Sequence, residues 1–111
     1  MSAAIEASKW SETTVADDAT AIATRAAASG KAHYLTSVSA SYSVTNSGLL
    51  ELKDGTTVLG SYHVYDSRDI PFPKPLRVTT GASVSVELAA SGTPGQDGSV
   101  VITGFTLPDP I

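Results

Sequence analysis

Along residues 33–44 the chain alternates without a break. Tyr34, Thr36, Val38, Ala40, Tyr42 and Val44 fall on one side, and His33, Leu35, Ser37, Ser39, Ser41 and Ser43 on the other. A period of two over a dozen residues marks a strand buried on one face. The tyrosine-bearing set is therefore expected inside and the serine set outside. Residues 49–53 and 56–65 read as two further strands joined by Asp54-Gly55, a strong hairpin dipeptide. In the second of them Val58, Gly60, Tyr62 and Val64 are expected inward, with Leu59, Ser61, His63 and Tyr65 on the opposite face. Val84, Val86 and Leu88 alternate with Ser83, Ser85 and Glu87 in another strand after a turn at Thr80-Gly81-Ala82. The last strand, 100–107, carries Val101 and Phe105, and Pro108 and Pro110 prevent its continuation.

Other segments are less regular. Residues 1–16 are read as an N-terminal arm or a peripheral strand, because 1–9 are small and polar with no period. Trp10, the single tryptophan, is expected to cover one end of the core. Between 15 and 29 the alanines favour a helix, but Thr20, Ile22, Thr24 and Ala26 alternate with Ala21, Ala23, Arg25 and Ala27, so a strand is expected there. Residues 66–69 read as a polar turn and 91–98 as a Gly-rich loop. Pro71, Pro73 and Pro75 have no N–H to give to a ladder, so 70–76 is expected as an extended edge strand or connector anchored by Phe72 and Leu76. About eight strands at a spacing of roughly 8–12 residues predict an all-β, antiparallel β-sandwich, jelly-roll-like, over residues 17–107, with a tail at 108–111.

Composition narrows the function. The 111 residues are enough for one core without metal or disulfide staples. Charged residues make up 16%, below the roughly 25% of an average soluble domain, and Ser, Thr, Ala and Gly fill the difference. The net charge is −4 and the seven basic residues are scattered, which argues against nucleic acid and against an anionic membrane as partners. With no cysteine, disulfide scaffolds, thiolate metal sites and Cys nucleophiles are excluded. The first ten residues contain Glu6 and no apolar run, so no signal peptide is expected and synthesis is placed in a cytoplasm.

No Gly-x-Ser-x-Gly elbow occurs. His33 and His63 both read as outward-facing; with Asp66 or Asp69 they have donor chemistry for zinc, but histidines at a subunit interface are the favoured reading. Glu51, Asp54, Asp66 and Asp69 offer carboxylates for a glycosidase pair. Asp54 is already explained by its hairpin, and Asp66 and Asp69 by the turn around Arg68. The glycines of 91–98 lead into a strand, so a phosphate cradle lacks its helix. No catalytic residue, metal or other cofactor is expected, and the chain reads as non-enzymatic.

What remains is surface. Faces rich in Ser, Thr and Ala with few charges suit packing against copies of the same chain or a larger lattice. A homo-oligomer is expected, and a trimer fits. The candidate interface residues are Trp10, Leu59, His63, Tyr65, Pro71, Phe72, Pro73 and Pro75.

Four strings carry a family resemblance: KAHYLTSVSASYS, GLLELKDGTTVLGSYHV, IPFPKPLRVTTGASVSVELAASG and the closing VITGFT. Over residues 30–106 the chain resembles small β-sandwich proteins encoded among phage structural genes, the capsid decoration (cement) and tail-fibre-associated modules. The resemblance implies a place in the virion, contacts with the major capsid protein or another virion protein, and no catalytic residues. Head decoration is the leading expectation, with residues 1–16 and the edge at 70–77 making most of the contacts. The alternative is a tail or fibre protein that binds a receptor or carbohydrate. A bacterial carbohydrate-binding or adhesion module ranks behind both, because several outward aromatics or an Asp/Asn calcium cluster are missing.

Overall fold

The computed structural model describes residues 8–108. Eight strands follow one another: β1 (Lys9–Asp17), β2 (Ala21–Arg25), β3 (Lys31–Tyr42), β4 (Ser47–Asp54), β5 (Thr57–Tyr65), β6 (Ser67–Arg77), β7 (Val84–Leu88) and β8 (Asp97–Pro108). Among the described residues there is no helix. Turn chemistry sets the breaks. Gly55 adopts a φ of +60° at the β4–β5 hairpin, a conformation glycine takes without steric cost. Asp66 takes a φ of +63° at the β5–β6 corner. There its amide donates to Asn46 O at 2.8 Å and its carbonyl accepts from Tyr42 N at 2.8 Å.

The strands form two antiparallel sheets, ordered β1-β8-β3-β6 and β2-β7-β4-β5. Of the seven links only β4–β5 stays within a sheet; every other link crosses, so the chain wraps around its own core. This is a jelly roll. Leu35, Val38, Val100 and Ile102 from the first sheet meet Leu50, Leu52, Val64, Val84, Val86 and Leu88 from the second, none more than 2% exposed. Burial of each such side chain contributes about 1.5–3 kcal/mol. Ala21 and Ala23 face inward from β2, where small residues let the sheets close, and Ile22 between them is exposed.

The pleat of β3 is interrupted. Leu35 pairs with Gly104 and Ser37 with Thr103, so two steps on β3 answer one on β8, and Thr36 is the extra residue. On its other side Leu35 pairs with Leu76 and Ser37 with Pro71, leaving residues 72–75 opposite Thr36. A bulge reverses the alternation on one side of itself. Val38, Ala40 and Tyr42 point inward as expected, but before the bulge it is His33 and Leu35 that are buried, while Tyr34 turns outward. The expectations of a solvent-facing His33 and an inward Tyr34 are both overturned. β3 also ends at Tyr42, which leaves Val44 exposed.

Smaller corrections follow the same logic. Leu52 pairs with Gly60 and Lys53 with Val58, so Leu59 is a second bulged residue, and Val58 turns to solvent while Val64 stays buried. The turn expected over 66–69 is a corner at Asp66, since β6 begins at Ser67. Residues 1–16 are expected as an arm or a peripheral strand; over its described part β1 (Lys9–Asp17) is an edge strand paired along its full length with β8. Residues 1–7 and 109–111 lie outside the described residues.

Candidate interaction surfaces

His33 is 2% exposed and both its ring nitrogens are engaged. Nε2 lies 2.7 Å from Ala26 O and Nδ1 lies 2.6 Å from Thr106 Oγ1, while Trp10 Nε1 donates to the same Thr106 oxygen at 2.9 Å. The Ala26 carbonyl can only accept, so Nε2 carries the hydrogen and the Thr106 hydroxyl donates to Nδ1. Trp10 meets His33 edge-on, with ring centroids 5.9 Å apart, and its own ring lies beneath the Arg25 guanidinium at 5.3 Å. Arg25 in turn pairs with Glu12 at 2.8 Å, tying β2 to β1. An open cleft of about 590 Å³ lies over this network. Its histidine has no nitrogen left for a metal or for proton transfer. Trp10, named above as an interface candidate, is 8% exposed and belongs to the core end.

The other chemistry candidates are dispersed. His63 sits on β5, on the outer face of the sheet opposite His33, so the two histidines are not brought together. Among the described residues no three His, Cys, Asp or Glu side chains form a metal-binding group. Asp54 Oδ2 accepts from Thr79 N at 2.9 Å and from Thr79 Oγ1 at 2.8 Å, clamping the loop after β6. Asp66 Oδ1 accepts from Asn46 N at 3.0 Å and so braces its own corner. Asp69 and Glu51 lie on opposite sheets.

The two outer faces differ in character. On β1-β8-β3-β6 three central cross-strand lanes are Val15, Ser99, Ser41 and Ser67; Thr13, Val101, Ser39 and Asp69; Ser11, Thr103, Ser37 and Pro71, with Lys9 and Arg77 in the lane beyond one end and Asp17 and Asp97 beyond the other. Asp69 is the one charged residue among these twelve. Thr36 Oγ1 donates to Thr103 O at 3.0 Å, and Ser37 Oγ lies 2.5 Å from Thr103 Oγ1, so the hydroxyls at the bulge satisfy one another. Beyond the third lane Tyr34 and Phe105 stack with centroids 4.9 Å apart, beside a groove of about 500 Å³ lined by Ser11, Thr36 and Thr103. The outer face of β2-β7-β4-β5 instead carries Glu51, Lys53 and Glu87. Lys53 bonds Glu87 at 2.8 Å, and that hydrogen bond holds its ammonium above the ordinary lysine range.

The remaining interface candidates gather on one side of the sandwich, where β5 and β6 are the neighbouring edges of the two sheets. Leu59 and His63 are exposed on β5, and Tyr65 is 71% exposed. His63 and Tyr65 stack with centroids 6.4 Å apart. On β6 Pro71 and Pro73 are exposed, Pro75 is half-buried, and Phe72 packs against the core. Arg68 spans the gap: its guanidinium covers the Tyr62 ring at 5.2 Å and donates to His63 O at 2.9 Å. The role of Thr106, by contrast, depends on Trp10 and His33 far along the chain and carries no local signal. Tyr34 and Phe105 had one: Leu35 is the single large aliphatic residue in the serine set, and it marks the slip in register.

No protein-family model matches the sequence, and comparison with curated proteins gives no match. Among solved structures, a chain in the acid-stable capsid of Helicobacter pylori bacteriophage KHP30 aligns over 90% of this chain and 93% of its own, with 11% identity and a TM-score of 0.57. The likeness is one of fold. The CBM36-1 domain of a multidomain xylanase from the hindgut metagenome of Trinervitermes trinervoides aligns over 81% and 74%, with 16% identity and a TM-score of 0.43. The carbohydrate-binding module CsCBM6-3 of Clostridium stercorarium aligns over 84% and 72%, with 19% identity and a TM-score of 0.44.

Proposed function

We propose that this chain is a non-enzymatic structural protein of a phage particle, a head decoration protein that stabilises the capsid through oligomeric surface contacts. The observation that carries the reading is the centre of the outer face of β1-β8-β3-β6, three lanes with one charge among twelve positions, flanked by Lys9 and Arg77 at one end and by Asp17 and Asp97 at the other. Short hydroxyl side chains lose little freedom when covered, whereas burying a Lys, Arg or Glu costs about 1.5–2 kcal/mol in rotamer entropy alone. Four strands about 4.8 Å apart, at about 3.3 Å per residue over the nine residues of β1, make this face roughly 600 Å². A standard interface takes about 800 Å² from each partner. One copy would therefore hold weakly, and an oligomer that engages several capsid subunits at once gains by avidity. The shared fold with a chain of the KHP30 phage capsid supports the same reading. The β6 edge and residues 1–16 supply further contacts. Cryo-microscopy of purified particles tests the proposal. The expected result is density for this sandwich on the outside of the head, with the β1-β8-β3-β6 face towards the shell. Absence from particles, or a position on the tail, rejects it.

A second reading, a tail or fibre protein that binds carbohydrate, is favoured by the groove beside Phe105. A sugar ring could lie against the aromatic wall while Ser11, Thr36 and Thr103 offer hydroxyls. Saccharide binding that is lost in Phe105→Ala, measured by calorimetry, would favour it over decoration.

A further inference from the structure

The two sheets leave four edges, β1 and β6 on one and β2 and β5 on the other. An edge strand presents unpaired N–H and C=O groups, and proteins protect such edges with charge, proline or shortness. Three of the four are protected. β1 carries Lys9, Glu12 and Asp17; β6 carries three prolines and Lys74, with residues 72–75 displaced from register; β2 is five residues long and ends in Arg25. β5 has no charge, proline or shortness of its own; only the bulge at Leu59 and the Arg68 guanidinium on His63 O interrupt its open side. Its nine residues, Thr57–Tyr65, include no charge and no proline, and they leave Val58 46%, Leu59 44% and Tyr65 71% exposed. The bulge at Leu59 lies two residues before Ser61, and the stretch from Gly60 to Tyr65 is regular.

We infer that β5 is a pairing edge whose occupant is a second copy of this chain, joined antiparallel about a two-fold axis at Ser61. The His63 carbonyl accepts from Arg68, which places the backbone groups of His63, and of Ser61 two residues earlier, on the open side. A two-fold axis makes each residue near it face itself or a close neighbour, so like charges there would repel. An uncharged edge suits that arrangement better than any of the other three. With Ser61 on the axis, Tyr62 lies opposite the partner's Gly60 and His63 reaches the partner's bulge at Leu59. Large side chains thus meet small or apolar ones. Pairing exchanges the Arg68 bond for a ladder bond and joins two four-stranded sheets into one of eight.

This inference deepens the self-association in the proposed function and rests on that part alone; an assay on the purified chain in solution can fail or succeed whatever the particle images show. Sedimentation should find a dimer that dissociates in Ser61→Lys with the Trp10 emission and the far-ultraviolet circular dichroism unchanged. Thr13→Lys, on the outer face of the other sheet, should stay dimeric. The natural chain has no cysteine. Ser61→Cys should therefore oxidise to a covalent dimer, because directly opposed Cα atoms in a hydrogen-bonded antiparallel pair lie about 5.5 Å apart, within disulfide reach. Thr57→Cys, far from the axis, should not. A monomeric natural chain, a closed trimer, or a dimer that survives Ser61→Lys each overturns the pairing.

Discussion

Thr106 joins two rings that would otherwise leave polar atoms stranded at the β1 end of the core. It accepts from Trp10 and donates to His33, which passes its own hydrogen to Ala26 O. Thr106→Val keeps the shape and removes the hydroxyl, leaving the indole N–H and His33 Nδ1 without partners. The expected loss is about 2–4 kcal/mol, since each buried unsatisfied group costs about 1–3 kcal/mol. Urea unfolding followed by the emission of Trp10 checks it, and a loss below about 1 kcal/mol would show that the chain of bonds contributes little. Tyr42 supplies a pH-dependent counterpart. Its hydroxyl donates to Ala89 O at 2.9 Å, and burial pushes the phenol above its ordinary value of 10.0. The folded state then keeps this proton to higher pH than the unfolded chain does. Stability is unaffected below about pH 10 and falls as pH rises beyond it. Tyr42→Phe should be less stable at pH 8 by about 1 kcal/mol, through the lost hydrogen bond, and should decline less steeply above pH 10. Parallel slopes for the two proteins would refute the assignment.

The bulge at Thr36 decides which half of β3 faces the core. Deleting Thr36 removes the extra residue and restores a plain pleat with His33, Leu35 and Val38 still inward. That variant should fold, with a loss of about 1–2 kcal/mol from the missing hydroxyl contacts. Deleting Ser39, where the ladder is regular, moves every residue on one side to the wrong face and should abolish the cooperative transition. Circular dichroism melts of the two deletions make the comparison, and similar behaviour would contradict the registers. This contrast also explains what could be read from the chain beforehand. The strands and their turns were legible because alternation and residues such as Asp54-Gly55 act locally. The face of Tyr34 was not, because Thr36 resembles its neighbours and the bulge exists only in pairing with Gly104 and Thr103. Gly104 shows the same dependence: a Cβ there would collide with Tyr34 O and press into the Trp10 ring, a constraint invisible without the partner strands. Likewise β1 hid behind Glu12 and Thr14. These point towards β2 and are satisfied there by Arg25 and the Ile22 carbonyl, so the strand shows no apolar stripe.

At the scale of the molecule, the sandwich separates its surfaces by chemistry. One outer face holds an ion pair and further carboxylate, the other has a centre of hydroxyls with its charges at the ends, and the β5 strand has no charged residue of its own. Low charge on a sheet is costly for solubility in an isolated monomer, so its concentration on one face and one edge requires a use that both regions share, namely contact. A substitution at the centre of the hydroxyl face separates this from a merely tolerated composition. Ser39 lies between Val101 and Asp69, on the outer face. Ser39→Lys leaves the core untouched, and its cost to folding should stay within about 0.5 kcal/mol. A docked face, however, must then bury or displace a long ammonium-bearing chain, and occupancy on particles should fall well below that of the natural protein. Thr24→Lys, exposed on the opposite sheet, should leave occupancy unchanged. Gel densitometry of purified particles, with each variant supplied in trans, measures both. Full occupancy by Ser39→Lys would move the docking surface elsewhere, and equal losses in the two variants would point to a general effect of added charge.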